Sequence, residues 1–149
     1  MNPSSIRRLR WVWIAAAALC GLVMLSIPQQ GRILDLRFWY TGQEAIDYLA
    51  SLQGDSRGRY LNHQWLDFGF MGFYSLALAG FWRGSRRLGL LPWFPGLMDF
   101  IETGQIVAIL YRPESGPWLS STLAMSTPVK YVFFYGVIAA IVLDRLRKP

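Results

Sequence analysis

The sequence predicts an all-α protein, a four-helix transmembrane bundle with a short amphipathic helix in the long loop between the first two spans. Three observations favour this fold class. The chain of 149 residues is 53% hydrophobic and only 16% charged, which is poor in charge for a soluble domain. Basic residues flank its apolar runs instead of forming one patch. Four of these runs approach or reach bilayer-crossing length, and they cover residues 11–27, 62–82, 88–110 and 129–143.

The first predicted span follows a short basic segment and resembles the apolar region of a secretory signal peptide. No pair of small residues marks a cleavage position after it, since its exit reads Leu25, Ser26, Ile27, Pro28. We therefore expect this segment to be retained as a membrane span.

The long connection after the first span contains a capping box, in which Thr41 and Glu44 satisfy each other's backbone amides at the start of a helix. Apolar residues then recur at helical spacing: Ala45, Ile46, Leu49 and Leu52. We expect an amphipathic helix that lies on the membrane surface or caps the bundle. Residues 54–58 are rich in turn formers and predict a turn before the second span.

The second and third predicted spans each carry a polar face. In the second, His63 and Tyr74 fall on the same side of the helix as Asp67. In the third, Asp99 and Glu102 lie about 60° apart around the helix axis. An acidic residue at mid-span costs about 2.5 to 3.5 kcal/mol on insertion scales, so these faces must be covered by other helices.

The segment before the fourth span, residues 111–128, contains Pro113, Pro117 and Pro128 and is predicted to be a loop. Lys130 then stands just inside the fourth span. Its ammonium is expected either to extend outward to the membrane surface or to turn inward and pair with an acid.

The distribution of basic residues predicts the orientation in the membrane. One side receives nine: Arg7, Arg8, Arg10, Arg83, Arg86, Arg87, Arg145, Arg147 and Lys148. The other receives five: Arg32, Arg37, Arg57, Arg59 and Arg112. This excess predicts a multi-pass protein of the cell inner membrane with both termini in the cytoplasm.

In this orientation the ionisable groups of three helices lie mostly in the outer half of the bilayer, beneath the amphipathic helix. We therefore predict a polar chamber there. Its candidate functional residues are Asp67, Asp99, Glu102, Lys130, His63 and Tyr74. Arg57 and Arg59 are possible contacts for an anionic lipid headgroup. The alternative is that the buried charges only specify how the helices pack.

The sequence lacks the motifs that are typical of several kinds of functional site. A metal site would draw on His63 and the three acids of the chamber, but HExxH is absent and no metal is predicted. No GxSxG, Walker or Rossmann pattern occurs, and no cofactor is predicted. Cys20 is the single cysteine, which excludes an intrachain disulfide. Because the basic residues flank spans, no nucleic-acid partner is expected.

These observations favour a membrane protein of unknown activity that binds a small amphiphile, such as a lipid or a quinone-like molecule, or a partner protein through the polar chamber. The partner would be another membrane protein or a second copy of the chain. The alternative is a small membrane enzyme or a proton-coupled carrier that uses the intramembrane carboxylates.

Part of the chain, residues 28 to 131, resembles a family of small four-span bacterial membrane proteins with no assigned activity. The resemblance is carried by Leu34-Asp35-Leu36-Arg37-Phe38-Trp39-Tyr40-Thr41, Glu44-Ala45, Leu52, Gly58-Arg59, Tyr60, Asp67, Tyr74, Asp99, Glu102 and Lys130-Tyr131. The resemblance implies four membrane spans and implies that these positions are important, but it does not imply a chemical reaction. The chain departs from the family by lacking a Pro between Asp67 and Tyr74 and by having Thr103 where the family has Asn.

Overall fold

The computed structural model of the chain describes residues 5, 8–29, 33–34, 37–82 and 88–146. Within these ranges the protein is all-helical, which confirms the predicted class. The five α-helices are α1 (Arg10–Ser26), α2 (Gly42–Ser51), α3 (Asp55–Phe81), α4 (Phe94–Tyr111) and α5 (Gly116–Leu146). Short 3₁₀ turns, Leu91–Trp93 and Pro113–Ser115, lead into α4 and α5. Residues 83–87, which contain three of the basic residues used to predict the orientation, lie outside the described residues.

The helices pack in sequence, with α1 against α3, α3 against α4, and α4 against α5. At one end, which we call the α2 end, the helix α2 lies across the start of α5 and the end of α4. At the opposite end the ring of Phe81 is shared by three elements. Trp11 contacts it edge-on at 5.2 Å, and the guanidinium groups of Arg10 and Arg145 lie 5.1 and 5.0 Å from its centroid. The start of α1 therefore meets the ends of α3 and α5 there.

The helix α2 forms as the sequence predicts. The Thr41 hydroxyl accepts from the amide of Glu44 at 3.2 Å, and the Glu44 carboxylate accepts from the amide of Thr41 at 2.6 Å. Ala45, Leu49 and Leu52 are buried on its inner face. They pack with residues of the preceding loop and of the three helices below, which are Ile33, Leu34, Tyr40, Tyr60, Ile106, Ile109, Leu110 and Leu123. The capping box and the amphipathic face are both confirmed, and apolar burial fixes α2 in place.

The helix α3 is longer than the predicted second span. The predicted turn is limited to Gly54, which has a positive φ of 52° and precedes the helix. Asp55 then stands in the first helical turn, where an acidic side chain interacts favourably with the exposed amides.

The helix α4 begins at Phe94, later than the predicted start of its span. Pro95 stands in its first turn, where the lack of a backbone amide proton destabilises a helix least.

The predicted loop before the fourth span is wrong over most of its length, because residues 116–128 belong to α5 and Pro128 stands inside this helix. Two local features explain the helix. The hydroxyls of Thr122 and Ser126 donate to carbonyls one turn back, at 2.9 and 2.8 Å, so these side chains do not compete for the helical amides. Leu123 is fully buried in the core beneath α2, and this burial stabilises the helix across the proline.

One helical segment of the described residues, Pro113–Leu146, is both long and apolar enough to cross a membrane. The helix α1 is apolar but shorter. The described residues thus support one clear membrane span of the four that the sequence predicts.

Candidate functional site

The centre of the site is an ammonium group held between two carboxylates. Lys130 of α5 lies with Nζ 2.8 Å from Oδ1 of Asp99 and also forms an ion pair with Oε2 of Glu102. The two acids stand one turn apart on the same face of α4, as the sequence predicts. Glu102 is 0% exposed, and the other two side chains are buried. Of the two orientations open to Lys130, the structure has the inward one.

Hydroxyl groups extend this ion cluster at both ends. Tyr74 of α3 donates to Oδ2 of Asp99 at 3.0 Å. The Tyr40 hydroxyl, from the loop before α2, donates to Oε1 of Glu102 at 2.9 Å. The Thr127 hydroxyl lies against the same carboxylate and 2.8 Å from the Tyr40 oxygen. Four segments of the chain thus join in one polar network. Each carboxylate in it pairs with the ammonium of Lys130 and accepts a hydrogen bond from a hydroxyl group.

Asp67 and His63 lie beside this network on α3, one turn apart. Thr103 of α4 donates its hydroxyl proton to Oδ2 of Asp67 at 2.7 Å. His63 is buried, and its ring stacks on Tyr60 with the centroids 6.2 Å apart. Thr103 therefore ties α3 to α4 at the same level as the ion cluster.

A partly open cavity of about 330 Å³ lies beside this network. Five polar side chains line it: His63, Asp67, Tyr74, Asp99 and Lys130. The remaining wall is mostly apolar and comes from α1, the loop before α2, α3 and α5: Gly21, Met24, Leu25, Ile33, Phe70, Tyr131 and Phe134. A mainly apolar cavity with a few convergent polar groups is typical of a small-molecule site.

The two arginines predicted to contact a headgroup lie elsewhere. Arg57 donates to the carbonyl of Leu110, near the C-terminus of α4, where a cation interacts favourably with the helix dipole. It lines a second cavity of about 250 Å³ beneath α2. Arg59 donates from Nε to the carbonyl of Pro28 at 3.1 Å. Neither arginine is among the residues lining the larger cavity.

Sequence reasoning missed the role of Tyr40 and Thr127. Thr127 stands three residues before Lys130, so helical spacing would have placed both on one face if Pro128 had not suggested a loop. Tyr40 lies outside the α-helices, where no periodicity marks an inward side chain. Only its place in the resembling run pointed to it.

The chemistry available to the site is proton exchange and ionic or hydrogen-bonded binding. Among the described residues no group of three His, Cys, Asp or Glu side chains is arranged to hold a metal ion. No protein-family model, curated protein sequence or solved structure matches this chain.

Proposed function

We propose that the chain is an integral membrane protein that binds a small amphiphile in the larger cavity. The distribution of polarity supports membrane insertion, because the charged groups of the site are buried while many large apolar side chains are exposed. Leu25 is 73% exposed and Trp118 is 84% exposed, while Glu102 is fully buried. The most apolar stretch of α5 is only 22% buried, whereas the core helix of a soluble protein would be mostly buried.

In the proposed arrangement α1, α3, α4 and α5 each cross the bilayer, as in the family that the sequence resembles. The helices α1 and α4, of 17 and 18 residues, are about 26 to 27 Å long, close to the thickness of the hydrocarbon core. The helices α3 and α5 are longer and extend beyond it at the α2 end. Arg10 and Arg145 both lie at the opposite end, which favours the cytoplasm for that side.

The cavity supplies the observation that carries the binding function. Its apolar wall is formed by residues of α1, the loop before α2, α3 and α5, and its polar groups come from α3, α4 and α5. A lipid or quinone-like molecule would place its chain along this wall and its polar head against Asp67, Asp99 and Lys130. A site between spans gives such a molecule a route from the bilayer without passing through water.

Native mass spectrometry of the protein, released from its own membrane in mild detergent, tests this proposal. We expect a defined small extra mass on the wild-type chain. Met24→Trp, which fills the cavity from α1, should remove this mass, and Leu22→Trp, on the exposed side of the same helix, should keep it. Bare wild-type protein, or a ligand kept in Met24→Trp, contradicts the proposal. The same spectra give the number of subunits and show whether a partner chain is bound.

A second candidate, a proton-coupled carrier or a small membrane enzyme, is favoured by the continuous polar network from Tyr74 to Tyr40. Such a protein would change the protonation of Asp99 or Glu102 during its cycle. In vesicles with the purified protein, proton movement driven by a pH difference and lost in Glu102→Gln would support it. Equal proton movement in vesicles with and without protein would exclude a carrier.

A further inference from the structure

The ring of Phe81 brings two arginine side chains together at the end of the molecule opposite α2. The guanidinium carbon of Arg10 lies 5.1 Å from the ring centroid, and that of Arg145 lies 5.0 Å from it. Arg10 begins α1, Phe81 ends α3, and Arg145 stands in the last turn of α5. One ring therefore holds close together two cations that are distant in sequence.

These two cations are not neutralised by an acid among the described residues. Within the described ranges, neither Arg10 nor Arg145 forms an ion pair with a carboxylate. Asp144 precedes Arg145 on α5, and consecutive residues lie about 100° apart around a helix axis. Arg10 stands in the first turn of α1, where the helix dipole is unfavourable for a cation. The pair therefore creates a positive potential that favours an anion.

Apolar side chains that neighbour the two arginines in sequence are exposed. Leu9 and Trp11 flank Arg10, and Leu143 and Leu146 stand close to Arg145 on α5. Trp11 also meets the ring of Phe81 edge-on. In the proposed membrane arrangement this end lies at the cytoplasmic boundary of the hydrocarbon core, where tryptophan is enriched. A lipid matches such a surface, because its phosphate group and its acyl chains meet at the same boundary.

We infer that Arg10 and Arg145, positioned by the ring of Phe81, bind the phosphate group of an anionic phospholipid in the cytoplasmic leaflet. The planar guanidinium group contacts an aromatic face while its N–H groups donate to phosphate oxygens, so one arginine serves both contacts. The inference rests on the proposed membrane insertion and orientation. It goes beyond the proposed amphiphile site, since none of these three residues lines the larger cavity.

The test compares dioleoyl phosphatidylglycerol, dioleoyl phosphatidylcholine and glycerol 1-phosphate. The two lipids share their acyl chains and differ in net charge, whereas the third probe has the phosphate without the chains. Each is titrated into the full chain in a neutral maltoside detergent, and the bound fraction is read by native mass spectrometry. We expect phosphatidylglycerol to bind about tenfold more tightly than phosphatidylcholine, and glycerol 1-phosphate to bind more weakly than phosphatidylglycerol.

Three variants assign this preference to the site. The double variant Arg10→Gln and Arg145→Gln should remove most of it. Phe81→Leu keeps both charges but removes the ring that positions them, so it should also reduce the preference. Arg8→Gln is the matched control, because it removes an exposed arginine at the same end, and it should retain the preference.

Several results would overturn the inference. These are equal binding of the two lipids, a preference that persists in the double variant, and a loss in Arg8→Gln as large as in the double variant. Glycerol 1-phosphate that binds as tightly as phosphatidylglycerol would overturn the assignment to a lipid. If the double variant does not fold, Arg145→Gln alone replaces it, and a full preference in that variant would also overturn the inference.

The outcomes separate this inference from the proposed function. A wild-type chain without a ligand in the larger cavity, but with a lipid preference that depends on Arg10 and Arg145, contradicts only the amphiphile site. Equal binding of the two lipids, in a chain whose cavity ligand is lost in Met24→Trp, overturns only the lipid site. Release of the chain from its membrane by alkaline carbonate would contradict membrane insertion, and both proposals with it.

Discussion

Lys130 is the residue whose removal should affect stability most. Lys130→Met would remove the ammonium that pairs with the buried carboxylates of Asp99 and Glu102. Removing one partner of a buried ion pair costs about 3 to 5 kcal/mol, so we expect a decrease of this size in the free energy of unfolding. A denaturing detergent titration measures it.

The matched control is Arg59→Met, which removes an exposed cation bound to one backbone carbonyl. It should cost much less than Lys130→Met. Neutralising the acids as well, with Asp99→Asn and Glu102→Gln in the Lys130→Met background, should recover most of the loss, because the two carboxylates that pair with Lys130 are then replaced by neutral groups. Similar costs for Lys130→Met and Arg59→Met would show that the ion cluster does not stabilise the protein.

The site residues show how far side-chain contacts follow from sequence. Asp99 and Glu102 could be placed together because three-residue spacing in a helix puts them on one face. That Lys130 would turn inward could not be predicted, because a lysine near a helix end can also extend to the membrane surface. Tyr40 could not be placed either. Its position depends on the packing of Leu34 and the neighbouring loop under α2, which leaves no periodic signal.

At the scale of elements, the capping box should make the stability of α2 depend on pH. Bonds from the Thr41 amide and hydroxyl lower the pKa of Glu44 below its ordinary value of 4.5, and Arg37 lowers it further. Because the folded state favours the ionised carboxylate of Glu44, this group contributes fully to the stability of α2 above the ordinary pKa. It is lost as the pH falls through the lower, folded-state pKa.

We therefore expect amide hydrogen exchange in α2 to be faster in Glu44→Gln than in the wild-type chain at neutral pH, and the two chains to converge in acid. Thr41→Val, which removes the capping hydroxyl, should speed exchange about fivefold. Exchange outside α2, in the middle of α4, serves as the reference. A difference between Glu44→Gln and wild type that persists unchanged in acid would contradict the argument.

The contact between α2 and α5 requires a small residue at Gly42. A Cβ atom added there would lie 2.9 Å from the backbone and Cβ of Ser120, closer than such atoms approach. Gly42→Ala should therefore move α2 away from α5 and lower the thermal unfolding temperature by several degrees. Gly116→Ala, at the same interface, places its Cβ at an ordinary 3.5 Å from Ile46 and should be tolerated. Equal shifts in both variants would show that α2 does not dock as described.

Element boundaries were predictable where local signals act alone. The start of α2 follows from Thr41 and Glu44, and the extent of α1 agrees closely with its apolar run. The start of α5 was not predictable, because prolines and hydroxyl residues usually indicate a loop. Here the hydroxyls bond within the helix, and Leu123 is buried by α2, a helix distant in sequence. Tertiary packing of this kind outweighs local propensity.

At the scale of the whole molecule, the two ends of the helical array have different compositions. The α2 end has a buried apolar core formed by residues of α2, α3, α4, α5 and the preceding loop. The opposite end has basic side chains on the ring of Phe81. In the proposed orientation the first end faces outward and the second faces the cytoplasm, since cytoplasmic ends carry the excess of Lys and Arg.

Cysteine labelling in spheroplasts tests this orientation. The labelled variants are made in a Cys20→Ala background, which lacks the native thiol. Gln53→Cys and Glu114→Cys are exposed at the α2 end and should react with a membrane-impermeant maleimide added outside inner-membrane spheroplasts. Gly89 is exposed just before α4, and Arg145 is exposed at the end of α5. Gly89→Cys and Arg145→Cys should react only after the membrane is opened. If Gln53→Cys and Glu114→Cys report opposite sides, α4 does not return the chain to the side on which α3 begins, and the four-span arrangement is excluded. If all four sites react without opening the membrane, the chain does not cross it, and the buried charges then belong to a protein on the membrane surface.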